Sequence, residues 1–526
     1  MNFIGRMGVY MFIQELGRIL YKNKSYYLFL IGIGFYWALF FSFSDFVSVP
    51  CSSFKDYLNN GIQWVCVSFV PFLFWIFISM NKYLFAFLFP ILSIVCSILT
   101  YFRYAYKFVL NSMMLYTAFN NDIRITAELI SPYLILFILI NLVISFLFVW
   151  YRFKLDIYKK SYLFSFNSFL VLILFFLMFQ GSSPIKRMIE KRIPANLVFT
   201  TLDYYKGKMD IARERERSFA YVESECDSVT VVFVIGESLR PDHLSINGYS
   251  RKTTPNLDTL GIISFPHVMS PYSFTNEAVP YLMTRTDTLH KQRAYKERSF
   301  IDVFKEGGFY TSWISNQDSE KPYVYFINEA DTVFYVNQSH NVYSFDQWLD
   351  EDILPYYDEM VDYDTSKKLI ILHTIGSHWW YNLHYTKDYE VYKPVLKSKI
   401  VSYCTDEEFR NSYDNTVLYT DYILSEIINK LKDKNAVLIF VSDHGEALGD
   451  DSFYLHGVSH PSMLRTAMFV WMSEKYKSLH PDYVENALKN REKSYMTDFV
   501  FPSIIDAGCL NTDILVKDKS IFRNAD

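Results

Sequence analysis

Cysteine is scarce in this chain, six among 526 residues, and no two of them are spaced as Cys-x-x-Cys. That excludes a zinc-finger framework and a scaffold held by many disulfides. Cys66 and Cys96 fall within long apolar runs, and Cys51 lies just after the first of these. Only Cys226, Cys404 and Cys509 remain in the polar part, so at most one bridge can form there. Cysteine usage therefore leaves the compartment open. Positive charge is also lacking: the formal net charge of −5 and pI near 6.2 give no footprint for nucleic acid. No internal repeat or low-complexity segment is present. A cleavable signal peptide is not expected, because the first apolar run is too long and further runs follow it instead of a small-residue cleavage site.

Apolar length is abundant. The chain is 51% apolar and 19% aromatic, and five runs gather before Ser183, over residues 26–47, 62–80, 83–102, 127–151 and 162–182. Each approaches the ~20 residues a helix needs to cross a bilayer. Arg6, Arg18, Lys22 and Lys24 precede the first run, Lys82 separates the second from the third, and Arg152, Lys154, Lys159 and Lys160 separate the fourth from the fifth. By the positive-inside rule these segments are cytoplasmic, although Arg103, Lys107 and Arg124 lie in an outer loop and Lys186, Arg187, Lys191 and Arg192 follow the last run. Five spans place everything after Ser183 outside the cytoplasm. The predicted organisation is a transmembrane domain over 1–183, a polar connector over 184–228 and a globular domain over 229–526.

The globular part alternates strand-like runs at 230–236, 309–315, 368–374, 436–442 and 467–472 with amphipathic stretches, and the spacing predicts a helix over 407–431. That alternation is the signature of a doubly wound α/β domain with a parallel sheet. Two of the runs end abruptly in polar residues: Val231-Val-Phe-Val-Ile-Gly-Glu237 and Ala436-Val-Leu-Ile-Phe-Val-Ser-Asp-His444. Ligands of open α/β sheets gather beyond the carboxyl ends of the strands. Glu237, Asp443 and His444 are thus predicted to converge there as two carboxylates and an imidazole, a donor set suited to zinc.

Several further segments carry a resemblance. Gly236-Glu-Ser238, Asn247-Gly-Tyr249, Thr253-Thr-Pro255, His373-Thr-Ile-Gly-Ser-His378, Tyr413-Asp-Asn-Thr-Val-Leu-Tyr-Thr-Asp421, Ser442-Asp-His-Gly-Glu446 and Leu455-His-Gly457 occur in that order. With the five apolar runs before them, they make the chain resemble the phosphoethanolamine transferases of Gram-negative inner membranes. That family belongs to the alkaline phosphatase and sulfatase superfamily and includes lipid A-modifying and mobile colistin-resistance enzymes. The resemblance implies an alkaline phosphatase-like catalytic domain in the periplasm and a multi-pass inner-membrane anchor. It also implies phosphatidylethanolamine as donor, with lipid A, lipopolysaccharide or another envelope glycan as acceptor.

The family's nucleophile is a threonine five residues before a proline, and Ser273-Phe-Thr-Asn-Glu-Ala-Val-Pro280 puts Thr275 at that place. Taken alone, Ser273 and Thr275 read as helix caps. Beside Glu237, Asp443 and His444 the reading changes, because a metal can lower the pKa of a bound hydroxyl and polarise a phosphoryl oxygen. The resemblance makes Thr275 both nucleophile and metal ligand, and makes His378 and His456 contacts to the transferred group. A second zinc near those two histidines is a further expectation. Lys321 aligns with a family lysine at the substrate pocket, and Thr117 and Asn121 are the nearest matches to its lipid-contacting residues. His373 reads as a buried structural residue, and His460 has no assigned role. The chain departs from the well-known branch in having Pro280-Tyr-Leu-Met283 in place of Pro-Cys-Met, and too few cysteines for that branch's disulfides. A formylglycine sulfatase would need a Cys or Ser in a Cys-x-Pro-x-Arg setting, and no cysteine lies between Cys226 and Cys404. The alternatives are a phosphoglycerol transferase, a sulfatase-like phosphohydrolase and a degenerate membrane sensor. The sensor would be expected to have lost one of the metal residues or Thr275.

Overall fold

The computed structural model describes residues 14–524 except 16, 44–53, 69, 107–129, 180–191, 194–195, 203–204, 206–214, 318–322, 338–346 and 399–400. The chain divides into two compact units, one falling within residues 1–206 and the other mainly Gly207–Asp526.

In the first unit the apolar runs become helices. Helix α1 (Lys24–Trp37) continues into a π-helical turn at Ala38–Ser42. It is followed by α2 (Phe54–Ser68), α3 (Val70–Ile78), α4 (Lys82–Tyr106), α5 (Pro132–Lys154) and α6 (Lys160–Phe179). Among the described residues three stretches are long and apolar enough to cross a membrane: Lys24–Ser42, Lys82–Tyr104 and Pro132–Lys154. The run expected at 62–80 is divided between α2 and α3, of 15 and 9 residues, each shorter than a span. The run at 162–182 falls on α6, with 180–182 outside the described residues. Proline at the first position of α5 leaves no donor wasted, and the Ser131 hydroxyl accepts from Leu134 N at 3.1 Å to cap it. Polar side chains tie the helices where apolar contact alone is indifferent to partner. Tyr36 donates to Asn141 Oδ1 at 2.8 Å, and buried Arg152 donates to the Ser79 and Met80 carbonyls at the end of α3.

The second unit is built on seven strands: β1 (Val229–Gly236), β2 (Ile263–Ser264), β3 (Tyr310–Ser315), β4 (Thr332–Tyr335), β5 (Lys367–His373), β6 (Ala436–Ser442) and β7 (Met468–Met472). Their order across the sheet is β2-β7-β6-β1-β5-β3-β4. The five strand-like runs of the sequence all appear, each within one residue of its expected ends. The expectation of a parallel sheet needs correcting at one side: β7 runs antiparallel to β6, and β2 antiparallel to β7. Every residue of β1 and β6 is buried, so both faces of the central strands are covered. Val231, Phe233 and Ile235 point into one apolar cluster with Phe300, Phe304 and Ile504. On the other face Phe440 stacks on Phe469 at 4.6 Å.

Helix α7 (Thr275–Met283) follows the second strand, and α8 (Asp406–Asn429) precedes β6. Thr405 and Glu408 form a reciprocal capping box at the start of α8, with Asp406, Glu407 and Glu408 all in its first turn beside the positive end of the helix dipole. Its buried polar face explains two of the quoted motifs. Asp414 receives His243 Nδ1 at 2.7 Å, Tyr249 Oη at 2.9 Å and Arg251 at 2.8 Å, while Asp421 accepts from the backbone of Asn256 and Leu257. The Asn247-Gly-Tyr and Thr-Thr-Pro segment is therefore docked on α8, beside the site but outside it. The one bridge that the cysteine count allowed in this part is present: Cys226 and Cys509, 283 residues apart, form a disulfide beside the antiparallel pair Val222–Ser224 and Leu510–Thr512.

Candidate metal centre and nucleophile

Register positions the site. Gly236 at the end of β1 pairs with Ser442 at the end of β6, so Glu237 and Asp443 leave the sheet side by side, and Asp443 N donates to Gly236 O at 3.0 Å. Glycine is required at 236 because a Cβ there would lie 2.3 Å from the Phe440 ring. The next turn is strained. Ser238 takes a φ of +58°, a left-handed conformation that costs a residue with a side chain about 1–3 kcal/mol. Two local bonds hold it: Ser238 N donates to Asp443 Oδ1 at 3.2 Å, and its hydroxyl donates to Glu237 Oε1 at 2.8 Å.

Thr275 stands at the first position of α7. The cap residue is Phe274, which makes no side-chain cap, so the helix-cap reading of Thr275 does not hold. Its hydroxyl instead donates to Glu237 Oε2 at 2.9 Å. The same carboxylate oxygen accepts from Gln317 Nε2 at 3.2 Å, and Gln317 is fixed by a second bond to Thr374 O at 2.8 Å.

The imidazole completes the group. His444 Nδ1 lies 2.8 Å from the Gly445 carbonyl, which can only accept, so Nδ1 carries the proton and Nε2 presents its lone pair. That lone pair sits 3.5 Å from Glu237 Oε1 and 3.4 Å from Asp443 Oδ2. His444 Nε2 and Asp443 Oδ2 are fully buried and have no hydrogen-bond partner among the described residues. Three lone-pair donors facing one another without a proton between them repel, and buried polar atoms are normally satisfied. A divalent cation resolves both faults, so the residues fit a metal of the zinc type. Burial pushes the Asp443 carboxyl up to about 6, with the Glu237 charge adding to the rise and His444 opposing it.

A second row of imidazoles lines the same place. The His456 ring lies 4.6 Å from His444, and the His378 ring 5.8 Å from His456. His456 Nδ1 is 2.8 Å from Glu446 Oε2, and Glu446 Oε1 accepts from Tyr381 Oη at 2.6 Å. Burial works to lower the His456 pKa, but the charge and hydrogen bond of Glu446 outweigh it and the net shift is upward. His444, Glu446 and His456 form a second set of donors within 4.8 Å of one another. His384, buried, is bonded through Nδ1 to the Trp348 carbonyl at 2.9 Å and lies 6.3 Å from the His378 ring.

The structure thus brings together Glu237, Thr275, Asp443 and His444, with His456 and His378 beside them. Lys321, Thr117 and Asn121 lie outside the described residues. His373 is fully buried between the rings of Trp313 and Tyr323. His460 caps the short helix Pro461–Leu464 through Ser462 and stacks on Phe453, which accounts for it. Sequence reasoning gave no role to Gln317, Tyr381, His384 or Glu446. Glu446 was in view as the last residue of Ser442-Asp-His-Gly-Glu446; the others carry no local signal.

The chain is similar to several known proteins. The family described as Sulfatase matches residues 229–508, and the family described as Phosphoethanolamine transferase EptA/EptB matches residues 68–209. Phosphoethanolamine transferase EptA of Salmonella typhimurium is 27% identical over 346 residues, 61% of each chain. Kdo(2)-lipid A phosphoethanolamine 7''-transferase of the same organism is 33% identical over 49% of this chain and 47% of its own. The chain thus spans 61% of the first of these relatives and less of the second. The integral membrane lipooligosaccharide phosphoethanolamine transferase A from Neisseria meningitidis shares the fold, with a TM-score of 0.75 at 21% identity over 94% of this chain and 98% of that one. The C-terminal periplasmic domain of EptC from Escherichia coli, solved in complex with Zn, aligns at a TM-score of 0.53 and 24% identity, over 59% and 91% of the chains.

Proposed function

The chain belongs to the sulfatase family, and from that membership and the donor set at Thr275 we propose that it is a metal-dependent phosphoethanolamine transferase of the bacterial inner membrane. It takes phosphoethanolamine from phosphatidylethanolamine and passes it to lipid A or another lipopolysaccharide acceptor, releasing diacylglycerol. The observation that carries this reading is the hydroxyl of Thr275 bonded to Glu237 within a buried set of unsatisfied metal donors. The names of the EptA and Kdo(2)-lipid A relatives support the transferred group and the acceptor class. Helices α1, α4 and α5 support a membrane anchor, which we read as five spans with the catalytic domain, residues 229–526, in the periplasm.

Zinc would be held by Glu237, Asp443 and His444, with Thr275 as the remaining ligand, and the EptC domain solved with Zn supports that choice. When bound, such an ion supplies Lewis acidity to the threonine oxygen and to the phosphoryl group. The chain's own residues do the rest. Thr275 Oγ1, its proton already directed at Glu237, attacks the donor phosphorus. The bond from phosphorus to the diacylglycerol oxygen breaks, and that oxygen takes a proton. Glu446 holds His456 through Nδ1, leaving Nε2 as the nitrogen that can give this proton. An acceptor oxygen then attacks phosphorus, and Thr275 Oγ1 departs with a proton returned to it. His378 and Lys321 bind phosphate oxygens in this scheme, Thr117 and Asn121 contact the lipid, and a second zinc beside His378 and His456 would assist the second step.

Mass spectrometry of lipid A and core from cells with and without the gene tests the proposal. One added phosphoethanolamine that depends on Thr275 is expected. Added phosphoglycerol, or an envelope identical in both strains, would overturn it.

A further inference from the structure

A cavity of about 130 Å³ opens in the membrane unit between α1, α2 and α3. Its wall is Ile31, Gly34, Phe35, Ala38, Trp64, Val65 and Phe72. Two features of the sequence make the space. Gly34 and Ala38, one turn apart, leave a shallow strip on α1, and the π-helical turn beginning at Ala38 displaces the residues that follow. A π-turn misaligns a backbone carbonyl, and here the Trp64 indole N–H donates to Ala38 O at 3.1 Å. The indole therefore spends its polar atom on the backbone and turns its carbon face to the cavity.

The cavity wall offers water almost no polar partner. A buried water needs two to four polar partners, and apolar cavities of about 150 Å³ stay dry and take hydrocarbon ligands. The rim points outward, Phe35 being 64% exposed and Val65 47%, and α1 is one of the stretches apolar and long enough to span a membrane. What surrounds that rim in a bilayer is acyl chain. We propose that this cavity is an acyl-chain site, filled by one chain of the diacyl phospholipid that donates the transferred group, and retained by diacylglycerol until release. The donor assignment rests on the function proposed above. In the orientation with the N-terminus inside, Gly34–Ala38 belongs to the outward half of the Lys24–Ser42 stretch, the leaflet next to a periplasmic catalytic domain.

The test is photolabelling of the full-length protein in liposomes with two phospholipids bearing a diazirine on the acyl chain, one with an ethanolamine and one with a choline headgroup. Labelling of the peptides containing residues 31–38 and 64–72 by both lipids is expected, because the contact is made by the chain. Ala38→Phe, which fills the cavity, should cut that labelling at least several-fold without changing labels on α5. It should also raise KM for phosphatidylethanolamine while leaving kcat nearly unchanged. Gly34→Leu provides a second filling variant should Ala38→Phe fail to fold. No label at these peptides, or labelling that both variants leave intact, overturns the site. Label lost with KM unmoved overturns the donor as occupant. The choline-lipid arm reads the site whether or not the protein transfers phosphoethanolamine.

Discussion

The Thr275 hydroxyl donates to Glu237 Oε2 across 38 residues of sequence, and that bond joins the start of α7 to the end of β1. A threonine serving only as a cap would turn its oxygen toward its own helix. Thr275→Ala should abolish transfer, by at least about 1,000-fold as loss of a covalent nucleophile does. Thr275→Ser should keep measurable activity. Incubation with phosphatidylethanolamine without acceptor should add the mass of phosphoethanolamine to the peptide containing Thr275, and only in proteins with a hydroxyl there. Wild-type turnover by Thr275→Ala would remove the residue from the mechanism.

The unsatisfied pair Asp443 Oδ2 and His444 Nε2 leads to a metal prediction. Protein purified without chelator should carry one zinc per chain by elemental analysis, and Asp443→Asn should carry less than a tenth of that. Chelation should lower the melting temperature of the wild type and leave that of Asp443→Asn unmoved, since a ligand stabilises only the state that binds it. Full activity in verified metal-free protein would be fatal to the zinc assignment.

What the sequence discloses, and what it hides, follows from burial. β1 and β6 are covered on both faces and so read as nearly unbroken apolar runs, and the acidic residues that follow them, Glu237 and Asp443, are conspicuous for that reason. The trio Glu237, Asp443 and His444 was legible on that ground alone. Strands β2 and β4, of two and four residues, are too short to leave a pattern, and the antiparallel direction of β7 is not encoded in periodicity at all. Gln317 and His384 reach the site from loops, where only the folded chain brings them near. The partner of Cys226 was equally hidden, because spacing does not specify connectivity.

The Cys226–Cys509 bridge gives a check on compartment. Disulfides persist outside the cytoplasm, so alkylation of protein from its native membrane should find this pair blocked. Cys404, partly exposed, should be modified readily. Replacing both bridged cysteines by serine should lower the stability of the catalytic domain by roughly 2–5 kcal/mol, read as a lower denaturation midpoint. A fully reactive Cys226 in freshly isolated membranes would place the domain on the wrong side.

His384 predicts a pH dependence of stability. Burial lowers its pKa from 6.5 to about 4, against the opposing effects of the Trp348 carbonyl and the Glu237 charge. The unfolded chain therefore binds a proton near pH 6.5 that the folded one refuses until about pH 4. The stability due to neutral His384 is complete above the higher value and falls away between the two, by up to ~3 kcal/mol for a fully buried group. His384→Gln, which keeps a donor for Trp348 O, should flatten the stability profile over that window. A profile identical to wild type would assign the acid sensitivity elsewhere.

Topology provides the last test, because acceptor access depends on it. Arg152 and Lys154 close α5, and the Arg152 guanidinium is spent on the carbonyls ending α3. Both basic residues should lie at the cytoplasmic surface if the positive-inside rule sets orientation. A phosphatase reporter fused after Lys154 should then be inactive and one fused after Pro184 active, while a cytoplasmic fluorescent reporter gives the reverse. The two fusions bracket α6, so they decide whether that helix crosses, which its sequence of Lys160–Phe179 supports by length. Should both report the cytoplasmic side, α6 does not cross and the span count falls to an even number. The catalytic domain would then face the cytoplasm, away from any outer-leaflet lipid A, and the acceptor proposed here could not be reached.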